Sequence, residues 1–484
     1  MKSSKFLSEL KNLKHFKDIE ISSLHLDSRS LTVGGLFFAI KGHDADGGDY
    51  IDSAIENGEV LIVSDNERKK DDKNVIYFKD LRKYIGLFSS RFYNNPSSQI
   101  KTICVTGTNG KTTTVETLSS ISNLLGMKSG YMSTISSSLG GNHIEESTLT
   151  TPNPIHINSF LQDAIENDIK LIAMEASSHG LDQNRLSGIE IDYAILTSFS
   201  QDHLDYHGSL ENYKEAKRKL FLDLSPINNI ICIDSDFGES LYRDLKILNK
   251  NTFSVSIKKE ADFQATFKDS EIGLDVSLKA LNQELHFKLG TISRYLASNI
   301  ICSLAVLALD GRNLKDIASI STEIKLPPGR LEAIHKDNNI VYIDYAHTPE
   351  ALEYALREVK RRHKGSICCL FGCGGERDKQ KRSLMGGIAE KYSDKLILTN
   401  DNPRNEDQNK IINDILSGIK LKKDILIELN REKAIKKALK DFRFNDEENV
   451  LLIAGKGHES YQEIKNERNF FNDKNVVNEI LKKI

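Results

Sequence analysis

Long apolar runs are missing from this chain of 484 residues. Nothing in it approaches the ~20 consecutive apolar residues that a helix needs to cross a bilayer, so no membrane partner is expected. An excess of one charge is missing too. The net charge is -3, with 66 Lys and Arg against 69 Asp and Glu, so a nucleic-acid partner is not implied either. The basic run Lys360-Arg361-Arg362-His363-Lys364 reads as a solvated helix end. Cysteine is scarce, with six residues and no C-x-x-C spacing. Five of them, Cys104, Cys232, Cys302, Cys368 and Cys369, fall in apolar strand-like or helix-like runs, which suits buried thiols in a reducing cytosol. Cys373, in F-G-C-G-G, is expected to be more exposed. The first residues, MKSSKFLSELKNLKHFKD, carry charges throughout and lack a signal-peptide core. The expectation is a cytoplasmic monomer without repeats or low-complexity tracts.

What is present is an ordinary globular composition, 39% hydrophobic and 28% charged, at a length that suits about three domains. Residues 1–97 contain short strands such as L-F-F-A-I-K-G and G-E-V-L-I-V-S-D, and end in the turn-rich Y-N-N-P-S-S-Q. Residues 98–326 open with K-T-I-C-V-T. They continue through K-L-I-A-M-E (170–175), D-Y-A-I-L-T-S-F (192–199) and N-I-I-C-I-D (229–234), with helices between, which predicts a mostly parallel sheet. Residues 252–290 alternate with period two and read as a small antiparallel region. Leu326-Pro327-Pro328-Gly329-Arg330 is a second linker, and residues 327–484 again alternate strand with helix. The expected fold class is α/β in three domains, the central one built on a phosphate loop and the last Rossmann-like.

The phosphate loop is V-T-G-T-N-G-K-T-T-T, Val105 to Thr114. The usual spacing, G-x-x-x-x-G-K-[ST], would put its first glycine at position 105. Here that position is valine, and the glycine is Gly107. The chemistry survives the shortening. Gly107 and Gly110 let the backbone turn and aim N–H groups at phosphate oxygens, and the following helix adds its positive end. The loop Gly107, Thr108, Asn109, Gly110, Lys111, Thr112 and Thr113 is therefore the candidate ATP site. Lys111 would reach the β- and γ-phosphates, and the Thr112 hydroxyl would ligate Mg²⁺. Glu175 ends the strand K-L-I-A-M-E, where a metal-binding acid belongs. The loop S-F-S-Q-D-H-L-D-Y-H-G (198–208) adds two histidines and two aspartates at the same sheet edge, which favours a metal–phosphate site.

Seven segments occur in a fixed order: T-G-T-N-G-K-T, M-E-A-S-S-H-G-L, D-H-L-D-Y-H-G, Y-x-x-A-K, P-G-R-L-E, D-Y-A-H-T-P and G-K-G-H-E. Together they resemble the Mur ligases and the related folylpolyglutamate synthetases over nearly the whole chain. The shortened loop is that superfamily's form. The resemblance implies an ATP- and Mg²⁺-dependent amide ligase of three domains, working through an acyl phosphate that an amine attacks. It implies Thr112, Glu175 and His203 as metal ligands, with Lys217 carried as a carbamate. It also implies catalytic roles for Lys111, His203 and Lys217, and nucleotide contacts from Asn299, Arg330 and Asp344. From the residues alone, Lys217 is one more lysine on a charged helix.

Within the superfamily the chain is most similar to the MurE type, which extends UDP-N-acetylmuramoyl-L-alanyl-D-glutamate in peptidoglycan synthesis. L-D-S-R and G-H-D-A-D-G resemble its uridine segment and implicate Leu26, Ser28, His43, Asp44 and Ala45. Thr150, Thr151, Ser177, Gln183 and Arg185 resemble its muramoyl-dipeptide contacts. D-N-P-R (Asp401, Asn402, Pro403, Arg404) resembles the form that adds meso-diaminopimelate. That diamine differs from lysine by a distal carboxylate, which Arg404 can grip bidentately. Arg382 is expected as a second cation, with Gly455 and Glu459 at the distal ammonium. L-Lysine or L-ornithine is the alternative amine, and a folate-type ligase the alternative enzyme. A nucleotide-sensing regulator and a simple kinase are the alternatives from other classes.

Overall fold

The structure, a computed structural model, describes residues 2, 19–42, 45–56, 58, 60–67, 75–141, 143–147, 149–271, 273–420, 424–441, 448–465 and 467–483. Its first sheet has four parallel strands, Ser23–His25, Gly35–Ala39, Leu61–Ser64 and Val75–Tyr77. Leu36, Phe38, Val63 and Phe88 pack on one side of it.

The second sheet has 11 strands. At its centre Tyr193–Leu196, Lys101–Thr106, Leu171–Glu175 and Ser129–Met132 lie side by side and parallel. Helices cover both faces, so Leu171–Glu175 and Tyr193–Leu196 are buried along their whole length. Helix Arg294–Leu309 is buried continuously from Leu296 to Ala308, which its all-round apolar surface requires. It packs on helix Lys111–Leu124 through a small polar seam. There Ser303 Oγ donates to Thr114 O at 2.9 Å and lies 3.1 Å from Thr117 Oγ1.

Residues 252–290 differ from expectation. Thr252–Ser256 is parallel to both neighbours, and only Phe263–Ser270, Gly273–Ala280 and Gln283–Leu289 run antiparallel. These strands extend the central sheet. Alternating small polar and apolar residues do not report strand direction: Thr252–Ser256 is a parallel strand inside the sheet, and its serines are buried as well as Val255.

The third sheet has six strands. Asn339–Asp344, Asn449–Ala454, Ser366–Phe371, Lys395–Leu398 and Ile425–Ile427 are parallel, and Glu332–Lys336 pairs antiparallel at one edge. A separate hairpin joins Tyr461–Ile464 to Glu467–Phe470. All six cysteines are buried. Cys373 corrects the expectation of exposure: it is 4% exposed, its Sγ sits 3.8 Å from Met385 Sδ, and burial pushes its thiol up to about 12. The flanking glycines let this loop fold down onto the core. Among the described residues, no helix is long and apolar enough to cross a membrane.

Candidate active site

The carboxyl ends of adjacent parallel strands converge, and loops leaving them can build one site. In the central sheet, Lys101–Thr106 lies between Tyr193–Leu196 and Leu171–Glu175. The phosphate loop, Glu175 and the loop bearing Asp202 and His203 therefore share one edge. In the third sheet, Asp344, Gly372, Asp401 and Gly455 leave the matching edge. Both edges line a single cavity of about 380 Å³, with Thr150, Asp202 and His203 on one wall and Gly372, Asp401, Arg404, Gly455 and Glu459 on the other.

Gly107 has φ 151° and Gly110 φ 89°. A Cβ at Gly110 would stand 2.4 Å from Asn299 Oδ1, and one at Gly107 would stand 2.1 Å from Thr197 Oγ1. Thr108 Oγ1 donates to Ser200 O at 3.0 Å, and Ser198 Oγ accepts from Asn109 N at 3.0 Å. Lys111 Nζ curls back to donate to Gly107 O and Thr108 O, both at 3.0 Å. Lys217 Nζ donates to the same Gly107 O at 2.9 Å and lies 4.5 Å above the Tyr213 ring. Two ammonium groups on one carbonyl repel. Burial, and then Lys111, hold the Lys217 amine well below its ordinary range.

Glu175 accepts from Thr112 Oγ1 at 2.7 Å, from Thr134 N at 2.7 Å and from Thr134 Oγ1 at 3.1 Å. His203 has φ 53° and sits 3.5 Å from Asp202 Oδ2. Its ring meets that of His179 edge-on, with centroids 4.8 Å apart. Burial lowers His203 to about 3 and His179 to about 4, so both imidazoles are neutral at neutral pH and free to ligate. Among the described residues, no group of three His, Cys, Asp or Glu side chains is placed to hold a metal ion. That does not disqualify a Mg²⁺ site, whose usual donors are one or two carboxylates, water and substrate phosphates.

Asn109, Gly110, Thr113, Arg330 and Asp344 line a small cleft beside this cavity. Asn299 packs against Gly110 there, and its buried Nδ2 has no partner, nor has Arg330 Nε. Such orphaned donors suit a nucleotide's acceptors. Both oxygens of Asp344 are held by backbone, from Leu331 N at 2.7 Å and Ala346 N at 2.8 Å. Arg330 lies 4.8 Å over the Tyr345 ring.

A second cavity of about 520 Å³ brings together Leu26, Ser28, Ala45, Gln183 and Arg185. His43 and Asp44 lie outside the described residues. Thr151 Oγ1 donates to Glu175 O at 2.8 Å and accepts from Ser177 N at 2.9 Å, while Arg185 Nη1 donates to Thr151 O at 2.6 Å. Leu149 and Asn153 line this cavity and Thr150 the other, so one short segment borders both.

On the opposite wall, Asn402 Nδ2 donates to Glu459 Oε2 at 2.9 Å, and fully buried Lys456 donates to that oxygen at 2.6 Å. Asp401 Oδ2 faces the bare side of Gly455, where a Cβ would approach to 2.6 Å. Pro403 turns the chain toward Arg404, which has φ 51° and lines the cavity. Arg382 is not brought there. Its fully buried guanidinium is spent on both oxygens of Glu406 at 2.8 Å, on Asp414 at 2.9 Å and on Gly374 O at 3.1 Å. It braces the cavity wall from behind, and Arg377 and Lys381 are the further cations that line it.

Three family descriptions match in chain order: "Mur ligase family, catalytic domain" at residues 20–93, "Mur ligase middle domain" at 105–307 and "Mur ligase, glutamate ligase domain" at 329–457. The UDP-N-acetylmuramoyl-L-alanyl-D-glutamate--2,6-diaminopimelate ligase of Rickettsia montanensis is 38% identical over 480 residues, covering 97% of this chain and 98% of that protein. Ligase 1 of the same description from Clostridium acetobutylicum is 36% identical over 472 residues, 96% of each chain. The chain belongs to the Mur ligase family. A solved structure of a UDP-N-acetylmuramoyl-L-alanyl-D-glutamate--2,6-diaminopimelate ligase has a TM-score of 0.72 at 27% identity, covering 100% of this chain and 99% of that one.

Sequence reasoning missed several residues of this Mur ligase's site. Thr134 holds Glu175 but sits in an unremarkable M-S-T-I-S run. Lys456 lies inside the G-K-G-H-E segment, where only a buried partner for Glu459 could single it out. The hairpin Tyr461–Ile464/Glu467–Phe470 packs on D-N-P-R and has no motif of its own.

Proposed function

We propose that this Mur ligase uses ATP to join meso-diaminopimelate to UDP-N-acetylmuramoyl-L-alanyl-D-glutamate through an acyl phosphate. One observation carries the reading. Asp202, His203 and His179, at the same sheet edge as the phosphate loop, face Asp401, Asn402, Arg404 and Glu459 across a single cavity, and Leu149 to Asn153 continue to the cavity of Leu26 and Ser28.

In this reading Lys111, freed from the loop carbonyls, holds the β- and γ-phosphates, while Asn299, Arg330 and Asp344 seat the nucleoside end. Thr112, Glu175 and His203 hold Mg²⁺, which when bound offsets the charge gathered between the γ-phosphate and the substrate carboxylate. Lys217 completes that set as a carbamate. A lowered pKa favours its neutral amine, which can add to CO₂ and lose a proton to give an anionic ligand. Leu26, Ser28, Ala45, Thr150, Thr151, Ser177, Gln183 and Arg185 bind the UDP-muramoyl dipeptide along the segment that borders both cavities. Arg404 grips the distal carboxylate of the incoming diamine, and Gly455 and Glu459 hold its distal ammonium. Closure of the two sheet edges keeps water from the acyl phosphate.

Phosphate release tests this. With ATP, Mg²⁺ and the UDP-muramoyl dipeptide, release is expected with meso-diaminopimelate and not with L-lysine or L-ornithine. Release with lysine or ornithine instead overturns the role of D-N-P-R. Silence with all three overturns the ligase.

A further inference from the structure

Arg404 is held in a backbone conformation that arginine avoids, with φ 51°. Such a state is strained for a residue with a Cβ and persists only where its surroundings over-determine it. The hairpin imposes it: Arg404 N donates to Glu463 O at 3.1 Å, and Lys465 N donates to Arg404 O at 2.9 Å. Glu463 N also donates to Asn402 Oδ1 at 3.0 Å, and Gln462 Nε2 donates to Asp401 O at 2.6 Å. These contacts fix where the Arg404 side chain starts.

Two contacts fix where it ends. Arg404 Nη1 donates to Gly375 O at 2.8 Å, and Arg404 Nε lies 3.3 Å from Glu463 Oε2. The pair is sheltered, with side-chain exposures of 19% and 21%. A guanidinium has five N–H groups. Gly375 takes one and Glu463 faces the Nε–H, which leaves the Nη2 edge and the second Nη1 hydrogen for the cavity. That is the fork that a carboxylate receives bidentately.

We infer that Glu463 is the positioning residue for Arg404, locking its guanidinium in the orientation that reads the distal carboxylate of the amine substrate. This rests on the reading of Arg404 given above. An arginine that is already immobilised loses less conformational entropy when it binds. Without Glu463, only the Nη1 bond to Gly375 O holds the guanidinium, which can then rotate about it and meet a carboxylate through one nitrogen.

The test is steady-state kinetics on Glu463→Ala, Glu463→Gln, Arg404→Ala and the double variant Glu463→Ala/Arg404→Ala. Glu463→Ala is expected to raise KM for meso-diaminopimelate about five- to tenfold, from the loss of one immobilised side chain. KM for ATP should stay within about twofold, and Glu463→Gln, which can still accept from Nε, should recover part of the loss. In the double variant the Glu463 effect should vanish, because nothing is left to position. If Arg404→Ala raises the diaminopimelate KM and Glu463→Ala does not, the inference falls and the reading of Arg404 stands. If neither variant changes it, both fall. If Glu463→Ala raises every KM equally, or its effect persists without Arg404, Glu463 only supports the fold and the inference is overturned.

Discussion

At the scale of single residues, burial changes what ordinary side chains are. The Lys217 amine is held well below its ordinary range and the His203 imidazole is lowered to about 3, although neither stands out as a residue type. Glu116 is the same effect on a carboxylate. It lies one turn beyond Thr112 on helix Lys111–Leu124 and accepts from Ser133 Oγ at 2.7 Å. Burial pushes it from 4.5 up to about 7. A carboxyl group raised on folding favours the folded state while protonated. Its contribution is complete below about pH 4.5 and is lost as pH rises through about 7. Glu116→Gln cannot ionise. Its stability relative to the parent should therefore grow between those limits and level off above, by on the order of 2 kcal/mol. Thermal melts at about pH 5 and about pH 8 check this, and an equal gap at both pH values would refute it.

At the scale of elements, the loop and the helix after it were readable because glycine, lysine and threonine have few substitutes there. Gly110 shows why. Its φ of 89° strains any other residue, and its Cβ position is filled by Asn299. Gly126 has φ 77° but open space around it. Gly126→Ala should cost only about 1 kcal/mol of backbone strain, with ATP binding intact. Gly110→Ala should displace Asn299 and lose nucleotide binding by more than about tenfold, as nucleotide titration of both variants would show. Equal affinities would mean that Asn299 does not seat the nucleotide. Other elements were not readable. Arg382 sits in a basic K-Q-K-R run, and only the packed structure shows that Glu406 and Asp414, 24 and 32 residues away in sequence, consume its guanidinium. Glu332–Lys336 was missed because a short polar edge strand lacks an apolar run.

At the scale of the molecule, the central and third sheets must meet edge to edge for one cavity to hold both halves of the reaction. Part of that contact lies far from the chemistry. The basic run at 360–364 does not end in solvent as its composition suggests. Arg361 pairs with Asp269 and donates to Ile292 O at 2.7 Å, and Arg362 donates to Glu271 O at 2.8 Å. His363 is buried, 2.6 Å from Glu448. Helix Pro349–Arg362 starts beside His347 at the cavity and ends at this contact, so the contact ties the third sheet's domain to the central one. Arg361→Ala should lower kcat severalfold and enlarge the radius of gyration with nucleotide bound, with little change in melting temperature. Small-angle scattering is the check, and an unchanged radius would assign this contact to stability alone.

The order of motifs, the phosphate loop and the α/β alternation were determined by the sequence itself, because each depends on local backbone geometry and on short-range apolar periodicity. What only the tertiary structure decided depends on partners far apart in the chain. Lys217 reaches the Gly107 carbonyl across 110 positions, Asn299 fills the space beside Gly110, and Glu463 stands behind Arg404. A buried charge takes its state from what surrounds it, and those surroundings exist only once the sheets have assembled.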